Sequence, residues 1–374
     1  MNLIAWSIPV FFVAIALEFV LARRRRREVY RFAAAISDVS CGVTQQLFNL
    51  LSAAAIFVMY LVVYEHRVVE LDAKAATTWL LGMVGVDFVY YWWHRASHEC
   101  NLLWAAHVVH HQSEEYNLAV ALRQALFTGF TGTVFALPLA LLGLPPFVYL
   151  VCRSINTLYQ FWIHTELIGT LGPAEAVINT PSHHRVHHAI NEQYLDKNYA
   201  GILIVWDRMF GSFAREVERP VYGTTTPLRS FNPLWANFEY FREIGRRIGE
   251  STRWRDKLWA VFAHPKWRPG GSAPPLSPAE LAVRAADHFD ARPSPWPLRY
   301  VIAQMIPIAP LTMWALISGG GWPWHVLALA CGAVGLGTVA LLGIVERRAW
   351  AWPLEAARLA MLVFVLVSVT GPKG

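Results

Sequence analysis

Apolar residues fall in long, nearly uncharged runs along this chain. The runs at 3–22, 39–64, 78–93, 126–142, 146–163, 301–317, 322–344 and 350–369 approach the roughly 20 residues that a helix needs to cross a bilayer. The fourth and fifth are joined by little more than Gly143-Leu144-Pro145, so they read as a helical hairpin, and Pro138 interrupts the fourth. No run alternates apolar and polar residues as a strand would, apart from hairpin turns. The pattern predicts an all-α protein, a polytopic membrane helical bundle. Four segments follow. Residues 1–75 hold two anchoring helices, and residues 76–214 hold nearly all the histidines. Residues 215–298 are polar and rich in Pro and Arg, and 299–374 form a second membrane bundle. Within the polar segment, 235–262 mixes aromatics with Arg at helical spacing. This fits a helix lying on the membrane surface or one packed on the histidine-rich segment. Residues 264–278 are a linker by composition.

Composition sharpens this picture. Of 374 residues, 55% are hydrophobic and 16% charged, with a formal net charge of +6. Arg23 to Arg27 follow the first run directly, and cytoplasmic flanks collect basic residues. This puts the N-terminus outside. Counting spans then places His94 onward, His164 onward, Arg347 and Arg348 on the cytoplasmic side. Because its charges follow the apolar run, the first segment reads as a signal anchor and not as a cleaved leader. The 17 tryptophans suit interfacial belts. The basic run reads as a topology anchor facing anionic lipid, which argues against a nucleic-acid partner. Cys41, Cys100, Cys152 and Cys331 are scattered, so neither a disulfide framework nor a zinc-thiolate site is expected.

The candidate chemistry lies in histidine. Of 14 histidines, His94 and His98 form one cluster, and His107, His110 and His111 a second. His184, His187 and His188 form a third, and His164 stands alone. Residues three and four apart share a helix face, so each cluster is expected to aim its imidazoles at one point. Eight clustered histidines exceed the needs of one metal ion and suit two. Asp87 and Tyr91 continue the face of His94 and His98, and an acid at that depth calls for a partner. His66, His264, His288 and His325 read as ordinary polar residues. HExxH and CxxC are both absent, which argues against a zincin or a structural zinc site. Imidazole-rich, cysteine-free ligand sets at a membrane surface suit non-haem iron and O2. A transporter would set its ligands at mid-membrane depth, and here they fall at helix ends.

The set HRASH, HVVHH and HHRVHH, with FWIHTE between, resembles the fatty acid hydroxylase/sterol desaturase superfamily of membrane di-iron oxygenases over about residues 80–214. The flanking sequence resembles in particular its alkylglycerol monooxygenase branch. The resemblance implies a fatty acid hydroxylase-like catalytic domain on the cytoplasmic side, in which His94, His98, His107, His110, His111, His184, His187 and His188 bind two iron ions. It implies His164 as a further metal ligand and Glu99 as a catalytic residue handling protons or acting behind the ligands. His183 is read as a hydrogen-bonding neighbour of the site. Glu115, Asn117, Asp196, Lys197, Asn198 and Asp207 also match the local pattern. The implied activity is O2-dependent hydroxylation of a C–H bond in an ether lipid, fatty acyl chain or sterol-like lipid. Next to an ether oxygen, hydroxylation gives a hemiacetal that breaks to an aldehyde. Desaturation is the other outcome in the superfamily, and a non-catalytic metal-binding membrane protein is the reading from another class. No haem, flavin or iron–sulfur motif is present. Electrons are therefore expected from a separate donor, such as a reductase, a ferredoxin, a cytochrome b5-like protein or an external tetrahydropterin. The expected setting is a bacterial inner membrane.

Overall fold

Each of the eight apolar runs is a helix in the computed structural model, which describes residues 3–291 and 293–370. Residues 1–2, Arg292 and 371–374, within or at the ends of the segments read from sequence, lie outside the described residues. In chain order the helices are α1 (Leu3–Arg24), α2 (Phe32–Glu65), α3 (Ala76–Glu99), α4 (Asn101–Ala105), α5 (Thr128–Leu141), α6 (Pro146–Trp162) and α7 (Pro181–His187). They continue with α8 (Val205–Met209), α9 (Pro233–Glu250), α10 (Trp254–Phe262), α11 (Pro278–Ala286), α12 (Pro295–Ser318), α13 (Trp324–Val345) and α14 (Ala351–Thr370). Among the described residues, strand structure is limited to Trp267–Arg268 paired with Gly271–Ser272 and two isolated bridges.

Five helices, α1, α2, α12, α13 and α14, are long and apolar enough to cross a membrane, and the chain is an integral, multi-pass membrane protein. The other three apolar runs form helices of a different kind. α5 has 14 residues and α6 has 17, which at 1.5 Å each rise about 21 and 26 Å, short of the roughly 30 Å hydrocarbon layer. α3 has the length, but it buries Asp87, His94 and His98 along one face. Pro138 does not break α5. The α5–α6 turn depends on Gly143, whose φ is +93° and where a Cβ would lie 1.9 Å from the Val69 carbonyl oxygen.

α2 joins two apolar cores. One face packs against α12 and α13 through Val43, Leu47, Ile308, Leu327 and Val334. Tyr60, near its C-terminal end, packs with Val86 of α3, Ala136 and Ala140 of α5, and Val148 of α6. α1, α3 and α6 run toward the same face, delivering Arg23, His98 and His164 there. Arg25 and Arg27 donate hydrogen bonds to the carbonyls of Leu167 (3.3 Å) and Glu166 (3.0 Å), just beyond His164.

Residues 235–262 form two helices, α9 and α10, and the reading from sequence that packs them on the histidine-rich segment holds for one side. The inner side is fastened to the histidine-rich segment: Gln112 donates to the Ala236 carbonyl, Asn237 accepts from the Leu126 amide, and Tyr240 donates to Asn101. The outer side exposes Phe238, Trp254, Leu258, Trp259 and Phe262, as a helix pair resting on lipid would.

Candidate metal centre

The site is assembled from helix ends. The last turns of α3 bury His94 and His98. The chain breaks at Cys100, forms the short α4, and reaches His107 and the 3-10 turn Val108–His111. The second cluster is therefore a tight turn and not the regular helix its spacing suggested. His164 follows the end of α6. α7 begins with Pro181 in its first turn, where the missing N–H costs nothing, and delivers His184 and His187 with His188 at its C-terminal boundary.

All nine histidines come together in two groups. His94, His98, His107, His111 and His187 form one, and His110, His164, His184 and His188 the other, with the ligand atoms in each group within 4.8 Å of one another. The expectation that each cluster aims at one point is corrected here. Consecutive helical residues point about 100° apart, so His110 and His111 diverge, as do His187 and His188. In each motif the i,i+4 pair joins one group and the remaining histidine the other. The second cluster gives its pair to the first group, and the third gives its pair to the second group. The groups abut, with the rings of His111 and His188 4.4 Å apart.

None of the nine side chains is more than 7% exposed. Burial holds the seven rings outside α3 well below the ordinary imidazole range, His110 at about 4 and His187 at about 3. The rings are neutral, and their proton positions follow from their partners. Nδ1 of His94, His110, His164 and His187 faces the carbonyl oxygens of Tyr199 (2.7 Å), Arg123 (2.9 Å), Gln160 (2.7 Å) and Lys197 (3.0 Å). A carbonyl only accepts, so each Nδ1 carries the proton and each Nε2 is a bare lone pair.

Those lone pairs converge. His164 Nε2 and His110 Nε2 are 3.3 Å apart, and neither has a proton to donate to the other. Nε2 of His98 and of His187 are buried without a partner. Unpaired buried acceptors are costly, whereas nitrogens on opposite sides of one ion stand about 4.2 Å apart at bond lengths near 2.1 Å. The donor set is imidazole throughout, which suits iron, copper, nickel or zinc. The residues fit a metal ion in each group, and together with the family they are consistent with iron.

The surrounding acids orient this framework. Asp87 accepts from Asn156 Nδ2, the amides of Ile202 and Leu203, and Trp206 Nε1 at 2.7–3.0 Å. Asp207 accepts from the amides of Tyr199 and Ala200, both at 2.8 Å. Together they pin the loop whose Tyr199 carbonyl holds His94. Asn198 donates to the carbonyls of His183 and Ala214, Asn117 to that of Val29, and Arg31 pairs with Glu115 at 2.8 Å. His183 is buried beside His184 but belongs to neither group, with its ring edge-on to Phe213. Glu99 also lies outside both groups. Its half-exposed carboxylate binds Arg95 Nε at 2.9 Å, and Arg95 reaches the Tyr91 hydroxyl and the Phe210 carbonyl.

Three contributors were missed from sequence. Arg123 is buried, pairs with Asp38 at 3.2 Å, and bonds the Val109 carbonyl and Gln112, fixing the turn that carries His110. Glu18 of α1 accepts from Tyr30, Thr165 and the Leu118 amide, locking α1 to the residue after His164. For Glu18 and Asp38 the available signal was a single acid inside or beside an apolar run. Arg123 offered none.

A cavity of about 430 Å³ opens among α1, α2, α5, α6 and α12. Ile8, Phe11, Val43, Ile56, Phe57 and Leu158 give it a mainly apolar wall, and His107, His110 and His164 also line it. It therefore touches both histidine groups.

Comparison with known proteins agrees with this architecture. The fatty acid hydroxylase family matches residues 79–212, which include all nine histidines. Alkylglycerol monooxygenase of Homo sapiens is 42% identical over 264 residues, 70% of this chain and 59% of that protein. The Danio rerio protein of the same name is 46% identical over 236 residues, 63% of this chain and 53% of its own length. Ornithine lipid hydroxylase OlsE of Rhizobium tropici is 31% identical over 142 residues, 36% of this chain and 41% of that protein. The chain thus spans between half and three fifths of the length of the two alkylglycerol monooxygenases. No solved structure matches it. Residues 79–212, with the two histidine groups they build, form a fatty acid hydroxylase family domain.

Proposed function

We propose that this chain is a membrane-bound, O2-dependent di-iron oxygenase that hydroxylates a lipid C–H bond. The observation that carries the reading is a pair of abutting, buried, neutral imidazole groups lining one apolar cavity in a membrane bundle. His94, His98, His107, His111 and His187 would hold one iron, and His110, His164, His184 and His188 the other. Bound iron would supply the O2 chemistry that oxidises an unactivated C–H bond, which no side chain does alone.

The chain's own residues do the rest. The Tyr199, Arg123, Gln160 and Lys197 carbonyls fix four tautomers, so that lone pairs face inward before metal arrives. The apolar wall between α1, α2, α5 and α6 excludes water and aligns a hydrocarbon chain against His107, His110 and His164. Glu99 acts through Arg95, which it holds against Tyr91 behind His94. An ether lipid is the favoured substrate, because two of the relatives reported are alkylglycerol monooxygenases. The lipid enters from the bilayer, and electrons come from a separate donor, a tetrahydropterin or a reductase partner. The proposed setting is a bacterial inner membrane with the centre on the cytoplasmic face, where Arg23 to Arg27 collect.

The test is anaerobic purification under reducing conditions, with iron content and Mössbauer spectra on iron-57 material. Oxidation assays with ether lipids, fatty acyl chains and sterols follow. About two coupled irons per chain and oxygenation of a lipid are expected. Failure to take up iron after reconstitution would overturn the reading.

A further inference from the structure

Arg153 lies midway along α6 and lines the cavity. Its hydrogen bonding among the described residues is limited to Thr133 Oγ1 at 3.5 Å, and no carboxylate pairs with it. The charged groups fully buried in the bundle are engaged. Asp38 meets Arg123, Glu18 meets Tyr30 and Thr165, and Glu355 meets Arg358. An unpaired cation on a mainly apolar cavity wall is costly unless a ligand pairs with it.

A second polar group lacks a partner. Asn49 of α2 also lines the cavity, and its Oδ1 is buried without a hydrogen-bond partner. Its place relative to Arg153 follows from α5. Gly129, where a Cβ would come within 2.9 Å of Asn49 Oδ1, is one turn from Thr133, about 6 Å of helical rise. The Thr133 hydroxyl donates to the Gly129 carbonyl at 2.8 Å. A guanidinium, a carboxamide and a hydroxyl therefore lie along one stretch of a mainly apolar cavity.

We propose that Arg153 forms a subsite that binds an anionic oxygen group of the lipid substrate, a phosphate or a carboxylate, with Thr133 Oγ1 accepting from the guanidinium and Asn49 Oδ1 free to accept from a hydroxyl of the same head group. This rests on the hydroxylase reading and names its substrate as an anionic amphiphile. Arg153 precedes His164 by 11 positions, about 16 Å along the helix. An anion held there cannot compete for the metal groups, while the hydrocarbon is presented to them. The subsite sorts the two ends of the lipid.

The experiment uses the full-length, iron-loaded protein in phosphatidylcholine nanodiscs, anaerobic and without a reductant, so that binding is read without turnover. Three probes are compared: 1-O-hexadecylglycerol 3-phosphate, palmitate and neutral 1-O-hexadecylglycerol. The unaltered protein should prefer an anionic probe. Arg153→Gln should weaken that probe about tenfold or more relative to the neutral ether, as expected for a lost charge-assisted hydrogen bond. Arg153→Lys should keep most of the preference, and the probe that responds identifies phosphate or carboxylate. Equal binding of all three probes by the unaltered protein overturns the subsite, as does uniform weakening by Arg153→Gln at unchanged iron content. If Arg153→Gln does not assemble, Arg153→Met gives the deciding reading: selective loss of the anionic probe supports the subsite, and no loss overturns it. Selective anion binding by a protein that oxidises no lipid would refute the hydroxylase reading and leave the subsite standing.

Discussion

His110 and His164 face each other through Nε2 atoms 3.3 Å apart, and each has already committed its Nδ1 proton to a main-chain carbonyl. Two lone pairs so placed repel unless a cation lies between them. Replacing either ring with Ala should lower iron content and leave the helical content intact. Metal analysis with circular dichroism checks this, and unchanged iron in both variants would contradict the second group.

His187 supplies the first group from a helix that otherwise serves the second. His187→Ala should abolish lipid oxidation while the protein still inserts in the membrane. Full activity with unchanged metal content would remove it from the ligand set.

Arg123 and Asp38 form a buried ion pair, with side chains 4% and 1% exposed. Removing one partner strands the other charge, at a cost of about 3–5 kcal/mol. Arg123→Ala should therefore lower the thermal midpoint and, by freeing the His110 turn, iron affinity as well. Thermal unfolding with and without iron separates the two effects.

The metal-free protein should be acid-sensitive. His110 and His187 titrate at about 4 and about 3 when folded, against about 6.5 for a free imidazole. The folded values are depressed, so below about 6.5 the unfolded chain binds more protons than the folded one, and stability falls as pH drops toward 4. Above 6.5 the contribution is complete. Denaturant unfolding of the apoprotein between pH 8 and 4 measures this, and a flat profile would contradict neutral, buried rings.

Trp254 and Phe262 expose 74% and 59% of their surface on the outer side of α10. Spin labels at these positions should be more accessible to oxygen than to a water-soluble nickel reagent. The reverse ranking would detach α10 from the membrane.

Much of this was legible in the sequence because it rests on period and composition. The eight apolar runs are helices, and the eight histidines chosen from spacing, with His164 added from the family resemblance, are those the fold assembles. Taking each motif as one helical face could not divide them, because adjacent residues such as His110 and His111, or His187 and His188, point about 100° apart and join different groups. Nor could spacing separate crossing helices from shorter ones, since α5 and α6 are apolar yet too short. Arg123 escaped notice because a single arginine at the end of the short apolar stretch 118–122 is unremarkable until Asp38 is found opposite it, 85 positions away. Glu99, chosen for its place after His98, lies outside both groups, with its carboxylate on Arg95.

The crossed contribution of the second and third histidine motifs has a consequence for assembly. Neither motif can fold correctly and complete one group while leaving the other unformed, because each lends a ring to both. An error in the His107–His111 turn or in α7 damages both groups at once. Loading should therefore be cooperative, with chains either fully charged or empty, and half-filled molecules should be scarce during maturation.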